Sequence, residues 1–130
     1  MKLDVPQINL VSAWIGMLLG FLSGIALGLF FQRDDWLGGY GSLRRRLYRL
    51  AHISFFGLAA VNFFFYMTAR TLPNGRELVI ASVAFILGAV SMPVCCLLMA
   101  RWRRAQMLFA IPVFSLVAGA VLTLMELVKL

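Results

Sequence analysis

The sequence predicts an all-α integral membrane protein: four transmembrane helices in an antiparallel bundle, with both termini outside. Three observations predict it. Hydrophobic residues make up 62% of the 130-residue chain and charged residues 13%, about half the charged share of an ordinary soluble domain. The charges cluster, leaving four apolar runs of the roughly 20 residues that a helix needs to cross a bilayer core. Lys and Arg also alternate between crowded and sparse connections. Subtracting the four runs leaves short loops and tails, so the chain reads as a single four-helix transmembrane domain over 1–130. That leaves no room for a dinucleotide-binding unit or a phosphate-binding loop.

The first helix is expected at about 8–31. Its apolar run exceeds the roughly 7–15 residues of a signal-peptide core, no small-residue cleavage site follows, and the tail MKLDVPQ has no basic leader. It is read as a retained helix. Within it, GMLLGFLSGIALG sets Gly16, Gly20, Gly24 and Gly28 at four-residue intervals, with Ser12 one turn further out. Such a ladder costs a water-soluble helix about 1 kcal/mol per glycine relative to alanine. In lipid, small residues at this spacing let two helices approach closely. The ridge is predicted to receive either a helix of this chain or a helix of another membrane subunit, with closest approach at the central rungs Gly20 and Gly24.

The connection QRDDWLGGYGSLRRR is the longest. Trp36 and Tyr40 suit the headgroup level, Gly38, Gly39 and Gly41 permit tight turning, and Asp34 and Asp35 are within reach of an ion pair with Arg44, Arg45 or Arg46. Those arginines and Arg49 are candidate binders of anionic lipid headgroups.

The second helix is expected at about 47–68 and contains AHISFFGLAAVNFFFYMTAR. His52, the single histidine, lies about one turn inside the boundary. A neutral imidazole can ligate haem iron or another metal, or hydrogen-bond a quinone. Haem b, a quinone or a soft metal are therefore the cofactor candidates; the alternative is an imidazole that meets headgroups or a neighbouring carbonyl. One histidine excludes bis-His haem ligation within one chain. Asn62, deep in the same helix, is expected to find an interhelical partner. Phe55, Phe56, Phe63, Phe64, Phe65 and Tyr66 form an aromatic wall.

TLPNGRE is a tight turn, which makes the second and third helices neighbours. The third helix is expected at about 78–100. Pro93 frees the Ala89 carbonyl, and Ser91 is placed to meet it. Cys95 and Cys96, with Met92 and Met99 nearby, are a candidate soft-metal set. The vicinal pair resembles that of bacterial mercury-transport proteins, which implies a thiol metal site at Cys95 and Cys96. Against it, adjacent helical residues point about 100° apart, and buried cysteine is commonly a small apolar filler.

The fourth helix is expected at about 107–128, with Pro112 nearly two turns inside it and freeing the Leu108 carbonyl. Ser115, Gly119 and Thr123 form a second small-residue ridge. Glu126 lies three residues from Lys129, a spacing for an interfacial ion pair.

The formal charge of +7 points to orientation rather than nucleic acid. Arg33, Arg44, Arg45, Arg46, Arg49, Arg101, Arg103 and Arg104 fall on one side, and Lys2, Arg70, Arg76 and Lys129 on the other. Basic residues concentrate in cytoplasmic loops, so the Arg-rich loops are expected inside. Small multidrug antiporters carry a carboxylate within their first helix, and this helix has none. No nucleophile, base and orienting residue form a set, so no enzyme is expected. The expected function is a small non-catalytic subunit or accessory protein of a larger membrane complex, with a respiratory or photosynthetic electron-transfer assembly as the candidate. A membrane cofactor-binding protein using His52 and a small oligomeric transporter are the alternatives. The expected location is the bacterial inner membrane.

Overall fold

The computed structural model describes residues 5–130, so Lys2 of the charge tally lies outside it. The described chain is helical: α1 (Gln7–Phe30), α2 (Leu43–Ala69), α3 (Arg76–Arg101) and α4 (Ala110–Val128). Short 3-10 segments at Trp36–Gly38 and Arg103–Phe109 precede α2 and α4. Four helical stretches, the last counted from Arg103, are long and apolar enough to span a membrane, and they fit a multi-pass membrane protein.

Two boundaries differ from expectation. α2 begins at Leu43 rather than 47, so Arg44, Arg45 and Arg46 belong to its first turns. Basic residues there oppose the helix dipole, which is why RRR reads as loop. Ser42 overrides this by capping the helix: its Oγ accepts from the Arg45 backbone N–H at 3.1 Å. Before α4 the chain is 3-10 through Phe109, so Pro112 falls in the first α-helical turn. A missing N–H is tolerated best there.

α1 packs on α2, α2 on α3, and α3 on α4, while α1 touches α3 only lightly. The outer helices show lipid-like faces: Trp14 is 67% exposed, Leu29 74% and Phe114 74%. Apolar surface on this scale is foreign to a water-soluble monomer.

The inner contacts use small residues and a few polar ones. A side chain built at Gly16 would meet Ala59 Cβ at 3.1 Å and the Phe55 carbonyl oxygen at 3.2 Å; at Gly20 it would meet the Phe56 ring at 2.7 Å; at Gly24, His52 Cε1 at 3.0 Å. Three rungs of the ladder are therefore filled by α2 of the same chain, and Gly28 meets nothing within 4 Å. Over these three rungs the helix received is one of this chain. Closest approach to backbone is at Gly16 rather than at the centre. Ser12, at the outer end, is half-buried. On the other side of the molecule, Ser115 Oγ donates to the Ala84 carbonyl and Gly119 lies against the Phe85 ring. The second small-residue ridge thus seats α4 on α3. Phe65, Ala69, Leu72, Leu78, Ala81 and Phe85 form the apolar core around the α2–α3 turn.

At that end three helices share one polar cluster. Asn9 Nδ2 donates to Asn62 Oδ1 at 2.8 Å, Ser82 Oγ donates to Asn9 Oδ1, and Asn62 Nδ2 donates to the Leu58 carbonyl at 2.9 Å. Asn9 and Asn62 are wholly buried. Asn62 finds its partner, and that partner is Asn9.

Ser91 Oγ bonds the Leu87 carbonyl at 2.6 Å, so it does not serve the Ala89 carbonyl that Pro93 frees. The Leu108 carbonyl, four residues before Pro112, is met instead by the Cys95 thiol at 3.4 Å.

Interhelical hydrogen bonds in membranes are worth about 0.6 kcal/mol on average and up to about 1.7. Asn62→Ala should fall at the upper end, because it also takes the 2.8 Å acceptor from the buried Asn9 Nδ2, leaving it only the Ser82 carbonyl at 3.4 Å; thermal unfolding in detergent checks this. In the same assay Gly16→Ile and Gly20→Ile should lower the midpoint markedly, and Gly28→Ile should leave it nearly unchanged.

Candidate functional site at the His52 end of the bundle

The polar end opposite the asparagine cluster is built by the loop between α1 and α2. Leu37, Gly38 and Gly39 have φ of 56°, 87° and 96°. Glycine takes such values freely; for Leu37 the left-handed conformation costs about 1–2 kcal/mol. The turn is held by Ser42, whose Oγ donates to the Leu37 carbonyl at 2.7 Å while accepting from Arg45 N.

Arg45 lies inside this loop. It is 1% exposed, and its two terminal nitrogens donate to the carbonyls of Phe31 (2.5 Å) and Arg33 (3.2 Å). These are carbonyls at and just beyond the end of α1, which have no partner within the helix. The guanidinium sits 5.0–5.6 Å from the ring centres of Phe31, Trp36 and Tyr40, an aromatic box suited to a weakly hydrated cation. Arg45 is thus corrected from a headgroup binder to the cap of α1. Arg44 and Arg46 are exposed, and Arg49 is half-buried with its guanidinium 5.0 Å from the Tyr40 ring centre. Trp36 is half-buried and stacked on Phe30 at 5.6 Å; Tyr40 is exposed. Asp34 and Asp35 do not pair with the arginines: the ion pair among the described residues joins Lys129 to Glu126.

His52 projects from α2 into the space that Gly24 vacates. Its Nδ1 lies 2.8 Å from Ser23 Oγ, and Phe56 meets the ring edge-on at 5.4 Å. Ser23 Oγ also donates to the Gly20 carbonyl at 3.0 Å. Ser23 Oγ thus ties the His52 ring to the backbone of α1, and Nε2 has no hydrogen-bond partner among the described residues.

Hollows lie on both sides of this imidazole. One, of about 310 Å³, is bounded by Ser23, Ala26 and Phe30 of α1, by Tyr48 and Phe55 of α2, and by Trp36 and Leu97. Phe55 and Leu97 also line a neighbouring hollow of about 270 Å³ that extends past Leu19, Val94 and Val90 to Ser12. Together they form a groove between α1 and α3 with Phe55 on its floor. It exists because the two helices are joined near Asn9 and Ser82 and have little contact elsewhere. On the other side of His52 is a separate cleft of about 270 Å³, bounded by Gly24, Gly28, Phe31, Arg49 and Ile53.

Cys95 and Cys96 are both buried and free. Cys95 is engaged with the Leu108 carbonyl, and Met99 is half-buried on the same helix. Among the described residues no three His, Cys, Asp or Glu side chains come close enough to hold a metal ion. Sequence reasoning missed Ser23 and Tyr48. Ser23 was signalled weakly, as a hydroxyl adjacent to the glycine ridge; Tyr48 carried no signal.

Arg45→Lys should not substitute for Arg45, since an ammonium cannot reach two carbonyls from the centre of an aromatic box. Hydrogen bonds from charged groups contribute about 1.5–3 kcal/mol each. The variant should therefore lower the unfolding midpoint well below that of Arg44→Lys or Arg46→Lys, which should stay within about 0.5 kcal/mol of the parent.

Comparison with protein-family models, with characterised proteins and with solved structures finds no match to this chain, so the site is read from its own geometry.

Proposed function

We propose that this chain is a small non-catalytic subunit or accessory protein of a larger membrane complex that holds an isoprenoid quinone between α1 and α3. The supporting observation is the groove from Ser12 to Trp36. It is apolar along its length, as a prenyl chain requires, and one end is lined by Tyr48 and Trp36, which carry a hydroxyl and an indole N–H. Among the described residues neither group has a protein hydrogen-bond partner. Both are donors, and a quinone head offers two carbonyl acceptors. Haem fits less well. An imidazole can ligate iron, but 310 Å³ is near the low end of ligand pockets and takes one ring with its chain rather than a porphyrin.

A quinone is the natural lipid-soluble redox carrier of an electron-transfer assembly, and a bacterial inner membrane is the location that fits this reading. The bundle is antiparallel, as suggested by the order in which Gly16, Gly20 and Gly24 meet Ala59, Phe56 and His52. Both termini are outside, and the Arg-rich connections lie in the cytoplasm. With α2 occupying the glycine ridge, contacts to other subunits fall to the exposed faces of α1 and α4.

The test is organic extraction of the protein purified in mild detergent, followed by mass spectrometry. An isoprenoid quinone close to one per chain is expected. Leu97→Trp, which fills the junction of the two hollows, should remove it. Tyr48→Phe should weaken binding of a short-tailed quinone roughly 2–12-fold, the worth of one neutral hydrogen bond, read by quenching of tryptophan fluorescence. No extractable quinone and no quenching would overturn the assignment, and a Soret band lost in His52→Ala would restore haem. Cysteines introduced at Gly41 and Asn74 should label from opposite sides of the membrane; labelling from one side would refute the topology.

A further inference from the structure

We propose that the cleft beside Gly28 binds an anionic phospholipid with a hydroxyl-bearing headgroup, such as phosphatidylglycerol. The first three rungs of the glycine ladder are filled from α2, and the fourth is not. At Gly28 no atom lies within 4 Å of where a side chain would start. Across that gap α2 presents Arg49 and Ile53, and the result is a cleft of about 270 Å³ that His52 also lines.

The chemistry of the walls is divided. Phe31 and Ile53 are apolar, as an acyl chain requires, and Arg49 is a cation at the same level. Arg44, Arg45 and Arg46 stand one turn earlier on α2, and among the described residues none of these arginines pairs with a carboxylate. Arg45 is buried with its Nε unpartnered. Arg33, Arg44, Arg45, Arg46 and Arg49 outnumber Asp34 and Asp35 at this end, so the local field is net positive, which favours an anion. A guanidinium fork matches phosphate oxygens.

His52 refines the choice. Its Nδ1 is committed to Ser23, which lines the groove and not this cleft. Nε2 has no hydrogen-bond partner among the described residues, and a hydroxyl, which both donates and accepts, satisfies it in either tautomer. A phosphodiester only accepts, whereas a glycerol headgroup carries hydroxyls. Arg49 takes the phosphate and His52 takes a headgroup hydroxyl.

The inference does not depend on the quinone, since the two spaces lie on opposite sides of the imidazole. The full-length protein in detergent is unfolded thermally with phosphatidylglycerol, phosphatidylcholine or inorganic phosphate added. Phosphatidylglycerol should raise the midpoint by several degrees and the other two should not. Gly28→Leu fills the cleft, and its Cβ meets nothing within 4 Å, so it should keep the lipid-free midpoint and lose the shift. Arg49→Gln should lose the shift as well, whereas Arg46→Gln and Leu97→Trp should retain it. Phosphatidic acid, which lacks the headgroup hydroxyls, should shift the midpoint less than phosphatidylglycerol. Equal shifts with phosphatidylcholine, or a full shift in both Gly28→Leu and Arg49→Gln, would overturn the proposal. So would equal loss in Arg46→Gln, which would mean diffuse attraction to a basic surface. A shift with inorganic phosphate alone would make the site one for free anions rather than lipid.

Discussion

The hydrogen bonds among Asn9, Asn62 and Ser82 are the constraint from which the arrangement of three helices follows. Lipid chains are as apolar as leucine, so apolar burial does little to favour one helix pairing over another. A carboxamide in hydrocarbon, by contrast, is costly until each donor and acceptor is met. Asn62 alone could be satisfied by many arrangements. Asn62 opposite Asn9, with Ser82 closing on the same amide, is satisfied by very few. With Asn9 fixed opposite Asn62, Gly16, Gly20 and Gly24 fall in turn against Ala59, Phe56 and His52. The packing ridge is thus set in register by a polar contact at its edge. The same cluster ties α1 to α3 at one end only, and the groove is the space opened where that tie is absent.

The other end of α1 is held by different physics. Arg45 brings a permanent charge into a nearly dry loop and offsets it with two carbonyls and three aromatic rings rather than a carboxylate. A carboxylate there would neutralise the charge; carbonyls and rings leave it standing. The loop consequently carries its net positive charge in an ordered form, with Arg49 at the mouth of one of the two clefts.

Much of this was legible in the chain. Four spans follow from composition, the close approach at the glycines from their spacing, the interhelical bond of Asn62 from its depth, and the Glu126–Lys129 pair from its interval. The unread parts share a cause: they depend on rotation about a helix axis. Arg44, Arg45 and Arg46 are chemically identical and about 100° apart, and only the start of α2 at Leu43 decides which one turns inward. That start hangs on Ser42 rather than on the arginines. Asn9 lies too near the beginning of α1 to be told from an interfacial residue. Ser82 is one hydroxyl among several that could bond their own helix. The groove has no sequence signature, because it is bounded by residues of three helices that are unremarkable singly.

The bond from Cys95 to the Leu108 carbonyl gives the α3–α4 contact a direction. Apolar packing against α3 is tolerant of sliding and of small rotations, since one methyl group replaces another. The Leu108 carbonyl, in the 3-10 segment that leads into α4, has a fixed address, and a thiol on the neighbouring helix donates to it. α4 is thereby indexed to α3 like a key in a slot, near its first turn, while Ser115 and the Ala84 carbonyl index it again further along. Two such points fix both the height and the rotation of a rod. The exposed face of α4 is therefore presented at one set angle, as a rigid surface.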